Sequence, residues 1–373
     1  MITLGSDIGS TWRNLNTWVT VYQNLRLLPL ALFSSLVDPR GLVARGGTMR
    51  DAYDTFLRGM REVGRTWADM VAREPKQRQK DHWEKVAEYV GAVDAATFSH
   101  HVADEYSSLY MGKKAKRIND TFFRLNGMEA WNRGARVGAT QAAVRFLEHH
   151  AKLPDTHSER WLKELGLKQS DLHFAADGSL ITSKVDLRSK YLADGVKPAE
   201  ADAKAEVEIE KTHYAIRRWV QGAVLTPNAA QRPAWSSDPH YSMFFHLKQF
   251  SYSFHQTLIR RAVNELDHGN LMPLSAFAWY IPVMVGSNIM RGMLQGGGEL
   301  PAHMQGMSVA DHINKAVWQT IGATGAIAVD ASHDLASLAG PMVEQAVDAL
   351  GQPIGRTITD ALPAKPLYIE ALR

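Results

Sequence analysis

HGNLMPLSAFAWYIPVMVGSNIM, residues His268 to Met290, runs for 23 residues without Asp, Glu, Lys or Arg. It opens a longer charge desert, 268–329, whose 62 residues hold only Arg291, Glu299, Asp311 and Lys315 as formal charges, in a chain that is 22% charged. As a helix the first run would be about 35 Å long, against about 30 Å for a bilayer's hydrocarbon core. Its reading decides whether the fold is a membrane hairpin or a helical assembly with an apolar core pair. Two apolar runs, Leu271–Leu294 and Met307–Val329, are separated by a Gly-rich turn at Gln295–Glu299. Gly292, Gly296 and Gly325 offer small-residue surfaces for close helix contact. Three features oppose an obligate hairpin. Trp279-Tyr280 lies mid-segment, whereas aromatic belts sit at interfaces. Pro282 interrupts the first run, and Asn288 needs a partner in lipid. Between charges the second run is only 14 residues, 316–329, too short to span. A buried helix pair, or a subunit interface that can be re-exposed to membrane, fits better. Its candidate interface residues are Trp279, Ile281, Val283, Val285, Ile289, Gly292 and Gly296 on the first run, with Trp318, Ile321 and Gly325 on the second.

Outward from this region, helical periodicity dominates and strand signals are scarce. Trp12, Leu15, Trp18, Val19, Tyr22, Leu25 and Leu28 recur at three and four. The spacing predicts helices from Thr48, as N-cap with Asp51 in the first turn, to about Arg73, then over 78–110 and over 120–150. Asp155–Gly166 reads as a short helix, and DLHFAADGSLIT as a small loop or hairpin turning at Asp177-Gly178. A helix from Pro198 to Val224 follows, then a proline-rich linker, then a helix opened by Asp238-Pro239 and ended by Gly269. The expected fold is all-α: an extended multi-helix assembly with Pro- and Gly-broken helices and an apolar C-terminal helix pair. Three divisions are expected, at 1–153, 154–237 and 238–373.

The 373 residues carry 42 Lys and Arg against 39 Asp and Glu, a net +3 that gives no strong pull toward nucleic acid. The absence of cysteine excludes disulfides, thiol nucleophiles and cysteine-ligated metals. The start, MITLGSDIGSTWRNLNTW, shows no positive region followed by an apolar run, so no signal peptide is expected. No P-loop and no G-x-S-x-G elbow occurs. Two Glu-x-x-His pairs, Glu210–His213 and Glu265–His268, have di-iron spacing, but lack the two further inward Glu that such a site needs. Both read as solvated helix faces, and His101 with Glu105 reads the same way. No catalytic residue, metal ligand or cofactor is expected. Lys113, Lys114, Lys116, Arg117, Arg260 and Arg261 are candidate contacts to phosphates or lipid headgroups.

The run Arg217-Arg-Trp-Val-Gln-Gly-Ala-Val-Leu-Thr-Pro-Asn228, followed by Arg232-Pro-Ala-Trp235 and His246-Leu-Lys-Gln-Phe-Ser-Tyr-Ser-Phe-His255, resembles segments of very large tailed-phage internal virion proteins. These are DNA-ejection proteins, related to the large polyvalent phage proteins. Asn16–Asn24 and Ser34–Pro39 are similar in character, and together the quoted segments hold 41 of the 373 residues. The resemblance implies a non-enzymatic, homo-oligomeric protein of the virion interior. It would later act at the host envelope as part of a conduit for the genome. Other phage core or portal proteins, genomic double-stranded DNA and the host inner membrane are its implied partners. It also implies that this chain is one piece of a longer polypeptide. Trp235, Phe244, Phe245, Phe250 and Phe254 would be packing anchors. Two alternatives stay open: a capsid-core or portal-associated scaffold that never enters a membrane, and a metal-binding helical enzyme.

Overall fold

Helix α5, Met128–Ala151, is the axis on which the fold is built. In the computed structural model, residues 18, 32, 35–36, 38–72, 79–93, 113–153, 155–224, 260–295, 298–300 and 304–313 are described. Among them the chain is all-α; one isolated antiparallel bridge joins Phe174 to Leu180 and there is no sheet. Before α5 come α1 (Arg40–Ala44), α2 (Met49–Ala72), α3 (His82–Tyr89) and α4 (Lys113–Leu125). After it come α6 (Thr156–Glu164), α7 (Lys184–Ala193), α8 (Pro198–Ala223), α9 (Arg260–Asp267) and α10 (Met272–Gln295).

Helix α5 is buried on almost every side, because its residues are small where neighbours cross. A Cβ on Gly134 would lie 2.8 Å from the Gly59 Cα of α2, and one on Gly138 would lie 2.7 Å from the Thr55 hydroxyl. The two backbones therefore run in contact, as only glycine permits. Below the crossing, Ala139, Ala142, Ala143, Phe146 and Leu147 join Leu42, Val86, Trp161, Ile216 and Trp219 in one core. That core draws on α1, α3, α5, α6 and α8. A second cluster surrounds Trp131 with Leu32, Leu36, Val63, Phe123 and Met128.

Local chemistry sets several helix ends. Thr48 and Asp51 cap α2 reciprocally: the Asp51 carboxylate accepts from the Thr48 N–H at 3.0 Å, and the Thr48 hydroxyl accepts from the Asp51 N–H at 3.1 Å. Asp155 caps α6 through the Ser158 N–H at 2.6 Å. Helix α8 begins at Pro198 as expected, and Gly178 takes its place in the turn at φ 82°.

Three expectations are corrected. The helix expected over 78–110 ends at Tyr89, because Gly91 at φ 75° donates to the Glu88 carbonyl while Ala92 donates to the Ala87 carbonyl, the two bonds of a Schellman stop. The helix expected over 120–150 is two helices, parted at Asn126-Gly127 with Gly127 at φ 80°. Pro282 does not break the first apolar run: α10 is one helix from Met272 to Gln295 with Pro282 exposed inside it. The missing N–H removes one ladder bond, and the bond's orphaned carbonyl lies one turn back. Helix α7 stands where no helix was expected, held to α8 by Leu187, Ala205 and Ile209, with Tyr191 against them.

The chain divides into two units, Met1–Leu300 and Pro301–Arg373. In the second, residues 309–313 form a helical turn capped by Ser308 and Asp311, the Asp311 carboxylate accepting from the Ser308 N–H at 2.8 Å. Most of the second apolar run, including Trp318, Ile321 and Gly325, lies outside the described residues. So do Gly296 and the segment 225–259, with Trp235 and the four phenylalanines.

Candidate functional site

Where α9 meets α1 and α6, five ionic side chains form a clasp. Glu265 of α9 is fully buried. Its carboxylate accepts from Arg160 at 2.6 Å, from Asn270 at 2.8 Å and from the Trp161 indole N–H at 3.2 Å, and Arg261 stands 3.0 Å away. Arg261 also donates to Glu164 of α6, which faces Arg45 at 3.5 Å. Arg45 lies flat over Gly222 near the end of α8, where a Cβ would come within 2.1 Å of its guanidinium. Three cations thus share two carboxylates. Burial alone would raise the Glu265 carboxyl; the hydrogen bonds from Asn270 and Arg160 and the Arg261 charge outweigh it and hold the group below the usual range. Glu164 is held down in the same way, chiefly by Arg261. Burial, then the nearby Arg261 charge, pushes Arg45 down to about 10.

Beside the clasp is a cleft of about 440 Å³ lined by His150, Asp155, Ser158, Trp161 and Asn270. His150 Nδ1 lies 2.8 Å from the Ser158 hydroxyl, which is 3.0 Å from the Asp155 carboxylate. The residue types are those of a nucleophilic triad, but the order is not. A triad places histidine between serine and acid, so that the ring can take the serine proton. Here serine is in the middle, its O–H directed at Asp155, which leaves His150 to donate from Nδ1. Ser158 is also fully buried. Burial, with His149 close by, pushes His150 down to about 4, so the ring is neutral near pH 7. The arrangement caps α6 and gives no activated nucleophile.

Of the two Glu-x-x-His pairs, neither is a uniformly solvated face. Glu265 is the most buried acid of the clasp, while His268 is exposed and turns to its own helix, 2.7 Å from the Asn264 carbonyl. His213 is buried, with Nε2 2.8 Å from the Thr182 carbonyl, and Glu210 is exposed and paired with Arg217. Among the described residues no three His, Asp or Glu side chains come together as a metal site.

The candidate basic residues divide. Lys114 and Arg117 are exposed on α4, and Lys113 and Lys116 lie on the same helix. Arg260 is exposed, but Arg261 is turned inward and held by Glu164 and Glu265. Of the apolar candidates, Val283 packs on the Trp131 cluster. Val285 and Ile289 are half-buried, and Gly292 is buried. Trp279 and Ile281 lie within α10, and their side chains are outside the described set. Among the described residues no helix is long and apolar enough to cross a membrane. Residues Arg217–Ala223 form the end of α8; Trp219 there is buried, its indole N–H donating to the Arg45 carbonyl at 3.2 Å.

Arg45, Arg160, Glu164 and Asn270 are functional candidates that the sequence reading did not raise. No family model, curated protein or solved structure matches the chain.

Proposed function

We propose that this chain is a non-enzymatic, oligomeric internal virion protein of a tailed phage, which assists genome passage across the host envelope. The observation that carries the reading is helix α10. It holds no Asp, Glu or Lys and one Arg, at 291, yet it leaves Met272, Met290 and Met293 exposed while Val283 docks on the Trp131 cluster. A polar clasp secures α9, immediately before it, and ion pairs can be exchanged where a fused apolar core cannot. An apolar helix tied down in this way suits a protein that is packaged folded and later presents that helix to a neighbour or a bilayer. The sequence likeness at Arg217–Asn228 and His246–His255 supports the same class.

The test has two parts. Peptides of this chain should be found in purified phage particles and be lost from particles that have emptied their genome. The purified chain should release dye from sealed vesicles, and deletion of 268–329 should abolish release. Retention in emptied particles without dye release would favour the capsid-core scaffold; absence from particles would end both readings.

A further inference from the structure

We propose that the exposed face shared by α2 and α4 is a docking surface for an anionic lipid bilayer. Along α2, Leu57, Met60, Gly64, Trp67 and Val71 alternate at three and four residues, the spacing of one helix face. This face is exposed: Leu57 by 41%, Trp67 by 40% and Val71 by 85%. The Trp67 indole N–H donates to the Leu125 carbonyl at 3.2 Å, which brings the end of α4 and its exposed Leu125 against the stripe. Aliphatic side chains beside a tryptophan that keeps its N–H bonded are the composition of an interfacial helix.

The charges around the stripe select the partner. Among the described side chains of α2 and α4, six cations are exposed, Arg50, Arg61, Arg65, Lys114, Arg117 and Arg124, and the one acid comparably open, Asp54, stands 3.4 Å from Arg145. The acids of α2 are turned away from this face or paired. Asp51 is buried with Arg145 at 3.0 Å, and Glu62 is half-buried against Arg65 at 2.8 Å. Helix α4 also opens with Lys113 and Lys114 and has no acid in its first turn, against the sign its dipole favours. An anionic surface relieves that mismatch. A second copy of this face would set cations against cations. Duplex DNA would satisfy the charges but offers nothing for Leu57, Met60 and Val71 to enter. A bilayer with anionic headgroups meets both demands.

The inference deepens the envelope reading above but rests on this face alone. The experiment is flotation of the full chain with vesicles of phosphatidylcholine, with or without phosphatidylglycerol. Expected are binding only to the anionic vesicles, about fivefold weaker in Arg61→Gln and about tenfold weaker in Leu57→Ser and in Val71→Ser. A Trp67→Phe chain should lose part of the blue shift in tryptophan emission on binding. Circular dichroism should match the parent in all of them and melting in Arg61→Gln and Val71→Ser, whose positions are exposed, while Trp67→Phe gives up its bond to the Leu125 carbonyl and melts somewhat lower. Anionic-vesicle binding unchanged in every variant overturns the proposal, as does a lipid-free dimer that Leu57→Ser breaks or equal binding to duplex DNA. A chain lacking 268–329 separates the two readings. If it still floats but releases no dye, this face holds the membrane and α10 perturbs it; if it no longer floats, the face is not the anchor.

Discussion

Replacing Glu265 with alanine tests the clasp directly. The carboxylate is fully buried and is reached by Arg160, Arg261, Asn270 and the Trp161 indole at 2.6–3.2 Å. Removing one member of a buried ionic pair costs about 3–5 kcal/mol, mostly because the partner charge is left unsatisfied. Two features place this site at the low end. Arg261 keeps Glu164, and the Arg160 side chain is 26% exposed and can rehydrate. The expected loss is therefore about 3 kcal/mol, concentrated on α9 and α10. Amide hydrogen exchange under native conditions should show faster opening of 260–295 while α5 stays protected. Glu265→Ala combined with Arg160→Ala should be less damaging than the two effects added, with a coupling of about 1–2 kcal/mol. Both clasp carboxyls are held below their usual range, so their contribution is present near neutral pH and is lost as pH falls through the carboxylate range. Glu265→Ala should flatten that acid dependence. An alanine variant within about 1 kcal/mol of the parent, with unchanged exchange over 260–295, would refute the clasp as the tether of α10.

Burial raises the Asp38 carboxyl to about 7 against the opposing pull of Arg40, so the folded state keeps a proton that the unfolded chain gives up, and stability falls as pH rises from about 4 to about 7. Asp38→Asn should thus stabilise the protein by about 1–3 kcal/mol at pH 8 and change little near pH 4, read by urea unfolding at both. His150 has the opposite sign: its folded value lies near 4 against 6.5, so its contribution is complete above about 6.5 and is lost as pH falls toward 4. His150→Gln should remove about 1–2 kcal/mol of acid sensitivity from the melting profile, a figure reduced for solvent screening. Gly134→Ala, which drives a methyl to 2.8 Å from the Gly59 backbone, should cost about 2 kcal/mol in denaturant unfolding, whereas Gly64→Ala, with open space around it, should stabilise by about 0.5–1 kcal/mol.

Helical class, the cap at Thr48, the short helix from Asp155, the turn at Asp177-Gly178 and the span of α8 were legible because each rests on chemistry within four residues of chain. The helices expected over 78–110 and 120–150 were drawn too long because apolar periodicity runs on past Gly91 and Gly127; the Asn126-Gly127 pair was the available signal for the second. Helix α5 could also have been recognised as central from Gly134, Ala135, Gly138, Ala139, Ala142 and Ala143, a run with too little side chain to face anything but other backbone. The clasp had no such local trace. Glu265 reads as solvated beside Gly269; Arg261 and Asn270 lie within five residues of it, but Arg160 and Trp161, which complete its burial, lie about a hundred positions earlier. Likewise the pair Arg260-Arg261 is uniform in sequence, and only the fold turns one inward and leaves the other out.

The near-complete enclosure of α5 has a consequence for synthesis. Its walls come from both directions along the chain: α2 and α3 before it, α6 and α8 after it. When α5 leaves the ribosome one side can be covered at once, but the side that receives Ile216 and Trp219 waits about 70 residues more, roughly 4–14 s at ordinary elongation rates. Through that interval the nascent chain presents an alanine-rich strip with Phe146 and Leu147 uncovered on that side. A slow codon placed before Arg217 would lengthen the exposure and should lower the soluble yield, without altering a single contact of the finished protein.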